Sequence, residues 1–334
     1  MGLGNDKLLE TLRCPACQGT LSFSDDTHLD CASCNLTFPI VNGIPRMLLP
    51  PFREALLGDG AASGLDATQV ATALSFGFEW HRFPEMYGEW ERQFLDYMQP
   101  HAPEFFRGKK VLDAGCGNGR FAYYATKYGA EVWAIDLGPA VEIANRNTES
   151  VGQSQVIQAD LHNPPFALET FDFIYSIGVL HHLPDPEPAF RNLLRFLKPG
   201  GDIQIYLYWK PERQLLKSLL LYGVTAVRQI TTRLPYSAVY AMAYPSALAA
   251  FMLFVWPYRM MKQLGLESLA EDLPMKQYAS FPFRVCVNDQ LDRFSAPIEN
   301  RYTRAEVGEW LRRAGLLDTK VGSAFGWVGT GRKE

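Results

Sequence analysis

The chain has 334 residues, enough for two modest domains or one large domain with an appendage. With 47% hydrophobic and 20% charged residues its composition is that of an ordinary globular protein, and a formal charge of −4 removes any global case for nucleic-acid binding. Met1 to Leu12 lacks the basic start and apolar core of a secretory signal, and four of the six cysteines fall in two close pairs. That favours metal over disulfides and a reducing, cytoplasmic location.

The first close pair is Leu12-Arg-Cys14-Pro-Ala-Cys17 and the second is Asp30-Cys31-Ala-Ser-Cys34, thirteen residues apart. Four thiolates from two tight turns surround one Zn²⁺ tetrahedrally, with a small hairpin between them. Cys14, Cys17, Cys31 and Cys34 therefore read as a structural metal site with no open position for chemistry; the bland alternative is four unrelated buried cysteines. Through Phe38-Pro-Ile-Val-Asn-Gly-Ile-Pro-Arg-Met47 the stretch resembles the small zinc-ribbon proteins that partner tRNA and protein methyltransferases. About fifty residues bury little apolar surface, so the metal is expected to supply much of the folding energy of a separate domain over 1–50.

Pro50-Pro51 and Gly58 to Gly64 read as a linker, placing linker and N-terminal helices over 51–100. Asp66 is positioned to cap a helix running toward Trp80. Phe76-Gly-Phe-Glu-Trp80-His-Arg-Phe83 is dense in aromatics, consistent with a helix packed on the core. Glu89 to Gln99 predicts another amphipathic helix, stopped by Pro100.

Val111-Leu-Asp-Ala-Gly-Cys-Gly-Asn-Gly-Arg120 then carries an apolar strand into a turn with Gly115, Gly117 and Gly119, followed by an amphipathic segment from Phe121 to Tyr128. Glycines there admit positive φ and close approach of backbone to a ligand, and the helix start offers unpaired N–H groups. Glu131-Val-Trp-Ala-Ile-Asp136 is a second strand whose terminal carboxylate can accept from two ribose hydroxyls. A dinucleotide site wants a small residue where Arg120 stands.

The alternating glycines instead resemble the class I S-adenosylmethionine-dependent methyltransferases. That resemblance implies a Rossmann-like α/β fold with a seven-stranded sheet. It implies S-adenosylmethionine held by Asp113, Gly115, Gly117, Gly119, Asp136, Leu137, Asp160, Leu161 and Ile177. It also implies that the helix before the first strand covers the cofactor, with Trp80 or Arg82 in contact.

Gln155-Val-Ile-Gln-Ala-Asp160 predicts the third strand; the family's adenine-amine acceptor falls on Asp160, with Leu161 against the ring. Phe171-Asp-Phe-Ile-Tyr-Ser176 is the fourth, apolar enough for mid-sheet. Gly178-Val-Leu-His181-His182-Leu-Pro-Asp185 follows at its carboxyl end, where ligands sit in open α/β sheets. This loop resembles that of the quinone-biosynthesis methyltransferases, and His181 or His182 is the candidate base for a hydroxyl acceptor; the plainer role is a cap or a backbone hydrogen bond. A helix over Glu187 to Leu197, a Lys198-Pro-Gly-Gly201 turn and a fifth strand, Asp202 to Tyr208, complete this half.

A compact member of the family would soon reach its last strands, but about ninety residues intervene. From Arg213 to Leu266 there is no Asp or Glu, while Arg213, Lys217, Arg228, Arg233, Arg259 and Lys262 are basic. The run between Arg233 and Arg259 approaches a membrane span in length, yet Pro235, Pro245 and Pro257 are expected to interrupt it. A helical cap over the active site (211–294) and helices lying on an anionic membrane through 213–262 are compatible readings, the second placing the protein at the inner face of the membrane. Either favours a bulky apolar acceptor. Phe281-Pro-Phe-Arg284 and Asn288 to Phe294 read equally as pocket lining or loop packing. Thr303-Arg-Ala-Glu306 is a capping box, its helix ended by Gly315, with strands at Leu317 to Val321 and, antiparallel, Ala324 to Gly329.

The expected architecture is a methyltransferase core over 101–210 and 295–334, with the ribbon before it and the insertion after the fifth strand. The expected function is methyl transfer to a hydrophobic small-molecule or lipid-like acceptor, at oxygen. Two rivals are a zinc-ribbon RNA methyltransferase and a non-catalytic ribbon scaffold. Three basic against five acidic residues in Met1 to Pro50, and Ser176-Ile-Gly-Val in place of an Asn-Pro-Pro-Tyr loop, weigh against nucleic acid. No motif specifies an oligomeric state.

Overall fold

The computed structural model describes residues 4–58, 66–211, 215–271 and 273–334, so most of the Gly58–Gly64 linker, Arg213 and the side chain of Lys217 lie outside the described residues. The chain divides into two units, Met1–Glu212 with Ile298–Glu334, and Arg213–Pro297.

In the first unit, helix α1 (Asn5–Thr11) leads into the first cysteine knuckle. Strands β1 (Leu21–Asp25) and β2 (His28–Cys31) form the expected antiparallel hairpin, its turn held by Asp25 Oδ1 accepting from Thr27 N at 2.7 Å. β3 (Leu36–Val41) pairs with β2 and turns through Asn42-Gly43, both at positive φ, into β4 (Ile44–Pro45).

The large sheet contains β5 (Lys110–Ala114), β6 (Glu131–Asp136), β7 (Ser154–Gln158), β8 (Phe171–Ile177), β9 (Leu197–Leu207), β10 (Leu317–Ser323) and β11 (Trp327–Arg332) in the order β10-β11-β9-β8-β5-β6-β7. All contacts from β7 to β9 are parallel, and β11 runs antiparallel to both neighbours. This is the seven-stranded, Rossmann-like sheet that the resemblance implies. β5 to β8 are almost wholly buried because helices cover both faces, which is why they read as apolar runs.

Several boundaries differ from expectation. β7 ends at Gln158, leaving Asp160 in the following loop. The Lys198-Pro-Gly-Gly201 segment belongs to β9: Gly200 N donates to Lys333 O and Lys333 N to Gly201 O, so the C-terminal residues recruit it into the sheet across an irregular register. The preceding helix, α7 (Pro186–Leu193), stops correspondingly early. The last strand starts at Trp327, because Ala324, Phe325 and Gly326 make the turn, with Phe325 at φ 59° and Ala324 N donating to Gly326 O.

The ribbon does not stand apart. Its Leu12, Cys14, Phe38 and Met47 share one apolar core with Leu112, Trp133 and Phe166 of the sheet region. Arg46 makes one isolated parallel bridge to Gln158 at the β7 edge, and Arg46 also pairs with Glu142 while Lys7 reaches Glu131 at 2.7 Å.

The second unit is helical. α8 (Leu215–Thr231) and α9 (Tyr236–Ala250) pack on α12 (Phe283–Ser295), the position of a segment read as loop or pocket wall. A π-helical turn, Phe251–Val255, joins α9 to α10 (Trp256–Gln263), and Tyr236–Gln263 runs as one 28-residue helix. Pro235 stands at the break before it, as expected, but Pro245 and Pro257 do not interrupt it. Only Trp256 separates Pro257 from the π turn, whose wider i→i+5 geometry accommodates the proline's missing N–H. By length and composition this helix is sufficient to cross a membrane. α11 (Glu267–Ala270) follows it.

Candidate active site and metal centre

The glycine turn lies between β5 and helix α5 (Arg120–Lys127), with Gly115 at φ 95°, Gly117 at 53° and Gly119 at 81°. Each position is also crowded. A Cβ on Gly115 would meet the Val179 side chain at 2.4 Å, on Gly117 the Trp80 Nε1 at 2.9 Å, and on Gly119 the Ala144 Cα at 2.9 Å. The turn is therefore glycine for backbone conformation and for close packing at once. It is overlaid by the loop after β8, by helix α3 (Ala67–Arg82) and by helix α6 (Val141–Thr148).

Asp66 caps α3 by accepting from Thr68 N at 2.7 Å. Gly77 lies against Pro139, and Gly138 against the Ala73 carbonyl, contacts a side chain would forbid. Trp80 is thereby laid on the glycine turn. Arg82 stands over Phe78 at 5.2 Å.

Asp136 ends β6 with both carboxylate oxygens engaged: Oδ2 accepts from Gly117 N at 3.0 Å and Oδ1 from Gly138 N at 2.9 Å. Burial raises its pKa above the usual carboxylate value, the backbone donors opposing it. Each oxygen keeps a lone pair, so the carboxylate that ties the two turns together can still accept a further hydrogen bond. Leu137 and Ile177 flank the strand ends, the first half-buried and the second buried.

Asp113 faces the interior. It is 1% exposed, accepts from the Tyr175 hydroxyl at 3.0 Å, and burial pushes its pKa up to about 7. It also accepts from the backbone N–H of Ala122 in α5, which ties β5 to the helix that follows the glycine turn. Asp160 is buried in a network: Oδ1 accepts from His162 N at 3.1 Å and from Gln69 Nε2 at 3.3 Å, and Oδ2 from Asn163 Nδ2 at 3.2 Å. Its carboxylate in turn raises the His162 pKa. Leu161 is buried beside it.

The two histidines differ. His182 Nδ1 lies 2.5 Å from the Ile298 carbonyl, which can only accept, so Nδ1 carries the proton and Nε2 is the basic nitrogen. Phe76 of α3 packs its ring edge-to-face on His182 at 4.8 Å. His181 is fully buried, lies 3.9 Å from the Tyr208 ring, and neither of its ring nitrogens has a hydrogen-bond partner among the described residues. Burial drives its pKa well below the ordinary histidine value, helped by His182 and Arg301.

Three participants escaped the sequence reading. Arg120 sits over Trp80, Trp90 and Phe121 at 5.1, 4.6 and 4.9 Å, a cation stacked at the start of α5. Gln69 reaches Asp160, and Tyr175 reaches Asp113. Only the position of Arg120 beside the glycines was a readable signal; the other two depend on which faces meet.

The sulfurs of Cys14, Cys17, Cys31 and Cys34 all lie within 4.8 Å of one another, the closest pairs at 3.5 Å. Tetrahedral Zn–S bonds place sulfurs about 3.8 Å apart, so the donor set and spacing fit one Zn²⁺. The glycine cradle and the remaining acceptor capacity of Asp136 fit the adenosyl part of S-adenosylmethionine.

Residues 112–205 match the methyltransferase domain family and residues 5–43 the Trm112p-like protein family. Over 148 residues the chain is 31% identical to a ubiquinone biosynthesis O-methyltransferase of Aliivibrio fischeri, covering 42% of this chain and 59% of that protein. Over 130 residues it is 37% identical to a Mus musculus protein named as a tRNA methyltransferase (9B), covering 37% and 25%. The chain thus spans between a quarter and three fifths of the length of these relatives. A solved S-adenosylmethionine-dependent methyltransferase from Aquifex aeolicus is 17% identical, covering 77% of this chain and 96% of that one, with a TM-score of 0.40. The sheet order, the glycine turn and the two matched segments thus give this chain a methyltransferase domain over residues 112–205, preceded by a Trm112p-like zinc-ribbon segment over 5–43.

Proposed function

We propose that the protein transfers the methyl group of S-adenosylmethionine to the hydroxyl of a hydrophobic small-molecule or lipid-like acceptor. The observation that carries this reading is the pairing of the glycine turn with His182 at the carboxyl ends of β5 and β8. S-adenosylmethionine supplies an already electrophilic methyl carbon, so the protein's task is alignment and proton removal. Asp136 takes the ribose hydroxyls while keeping Gly117 and Gly138 in place. Asp160 and Leu161 form the adenine end, and Asp113 ties β5 to the helix that follows the turn. His182, its tautomer set by Ile298, receives the acceptor's proton on Nε2. His181 is a packing residue against Tyr208, and residues 211–294 form the acceptor-binding insertion. The ribbon, over 1–50, is a structural zinc domain.

The methyltransferase-family match covers residues 112–205, the cofactor half, which all acceptor classes share, so the acceptor is inferred from the apolar second unit. The test is calorimetry with S-adenosylmethionine followed by methyl-transfer assays on extracts from a deletion strain, searching for a species lighter by one methyl group. Absence of cofactor binding would defeat the reading.

A tRNA acceptor is the second reading, favoured by the Trm112p-like match and by the relative named for tRNA. Binding to tRNA with a steep salt dependence would replace the small-molecule assignment.

A further inference from the structure

The helix Tyr236–Gln263 is packed on one side only. Val239, Ala243, Ala247, Ala250 and Val255 form its buried stripe, the irregular last interval spanning the π turn. The remaining surface is apolar as well. Leu248, Met252, Leu253, Trp256 and Met260 are between 43% and 64% exposed, and Leu264 just beyond is 67% exposed. Ordinary surface helices carry charge on the side that faces water, and a helix apolar all round is normally enclosed by protein or by lipid. Here only 28% of the most apolar window is buried.

We propose that this face docks on an anionic lipid bilayer, with the helix lying in the interfacial plane. The charge pattern selects the partner. Arg233 before the helix and Arg259 and Lys262 near its end are exposed cations, no carboxylate occurs from residue 215 to 266, and the nearby Glu271 is paired with Lys276. Trp256 and Tyr244 suit the headgroup boundary, where an apolar ring with a polar edge is stable. α12 decides between lying on the bilayer and crossing it. It packs along α9 and carries Arg284, Asp289, Asp292 and Arg293, which a spanning orientation would draw into hydrocarbon. A second copy is a poorer occupant, because a two-fold pairing of this face brings together two helices that carry cations and no carboxylate of their own. The proposal concerns where the chain resides and does not depend on the methyl-transfer reading.

Vesicle co-sedimentation of the full chain tests it, comparing phosphatidylcholine alone with vesicles about one third phosphatidylglycerol. The chain is expected to sediment with the anionic vesicles, with a blue shift of tryptophan emission. Leu253→Asp and Trp256→Asp should each lower partitioning about tenfold or more. Arg233→Gln and Lys262→Gln should each lower it about fivefold on anionic vesicles only. Thermal melts of all four variants establish that they fold, and the two charge variants test the idea even if an aspartate variant does not. No binding to either vesicle, or binding indifferent to these changes, overturns the proposal. Retention in membranes after alkaline carbonate overturns the in-plane placement. A dimer dissolved by Leu253→Asp, without vesicle binding, gives the face to a second copy and overturns it too.

Discussion

The backbone N–H of Met47 donates to the Gln158 carbonyl across 2.8 Å, so the chain leaving the ribbon is tied by a single parallel bridge to the open edge of the large sheet. Ribbon and sheet then share one apolar core, and metal loss should be felt by both. Cys14→Ser is expected to abolish one bound zinc per chain and to lower the melting temperature of the first unit by about 10 °C, in a single transition. Calorimetric melting with metal analysis checks this; an unchanged transition for the sheet domain in the zinc-free variant would show that the ribbon is energetically separate.

Asp136 joins Gly117 to Gly138 and is assigned the ribose hydroxyls. Asp136→Ala removes charge-assisted bonds of about 1.5–3 kcal/mol each, so affinity for S-adenosylmethionine should fall about tenfold to a hundredfold. Isothermal titration measures it, and unaltered affinity in a folded variant would displace the cofactor from this strand end.

The two histidines should separate kinetically. His182→Ala removes the basic Nε2 and is expected to lower kcat by about 10²–10⁴ while leaving cofactor affinity intact. His181→Phe preserves a ring against Tyr208 and strands no hydrogen-bond partner, so kcat should stay within a few fold. Equal losses from both would return the base assignment to the pair.

Asp113 makes stability depend on pH in a stated direction. Its folded pKa, about 7, lies above the ordinary carboxylate value of 3.8, so the folded chain binds more protons between those values. Stability is therefore lost as pH rises through that window, the cost levelling above pH 7 at about 4 kcal/mol. Asp113→Asn keeps an acceptor for Tyr175 and removes the titration, so it should melt higher than the parent at pH 8 and no higher at pH 4. Parallel pH profiles for the two proteins would remove Asp113 as the source.

What the sequence determined by itself was local. The Cys-x-x-Cys knuckles, the positive-φ glycines, the Asp66 cap and the Thr303–Glu306 capping box depend on residues a few positions apart, and their geometry follows from covalent reach and backbone conformation. Strand order was legible through the family resemblance. Tertiary structure decided everything that turns on which surfaces meet. Asp113 and Asp136 read alike as acidic strand ends, yet one is sealed under Tyr175 and the other stays partly open between two glycine turns. His181 and His182 are neighbours in sequence, but only the second finds a carbonyl, that of Ile298, more than a hundred residues away. Pro257 marked a helix end until a π turn absorbed it, and the ribbon read as a separate domain until its apolar residues joined the core of the sheet. Burial and long-range hydrogen bonding assign these roles, because the free energy of a polar or apolar group depends on what surrounds it in space.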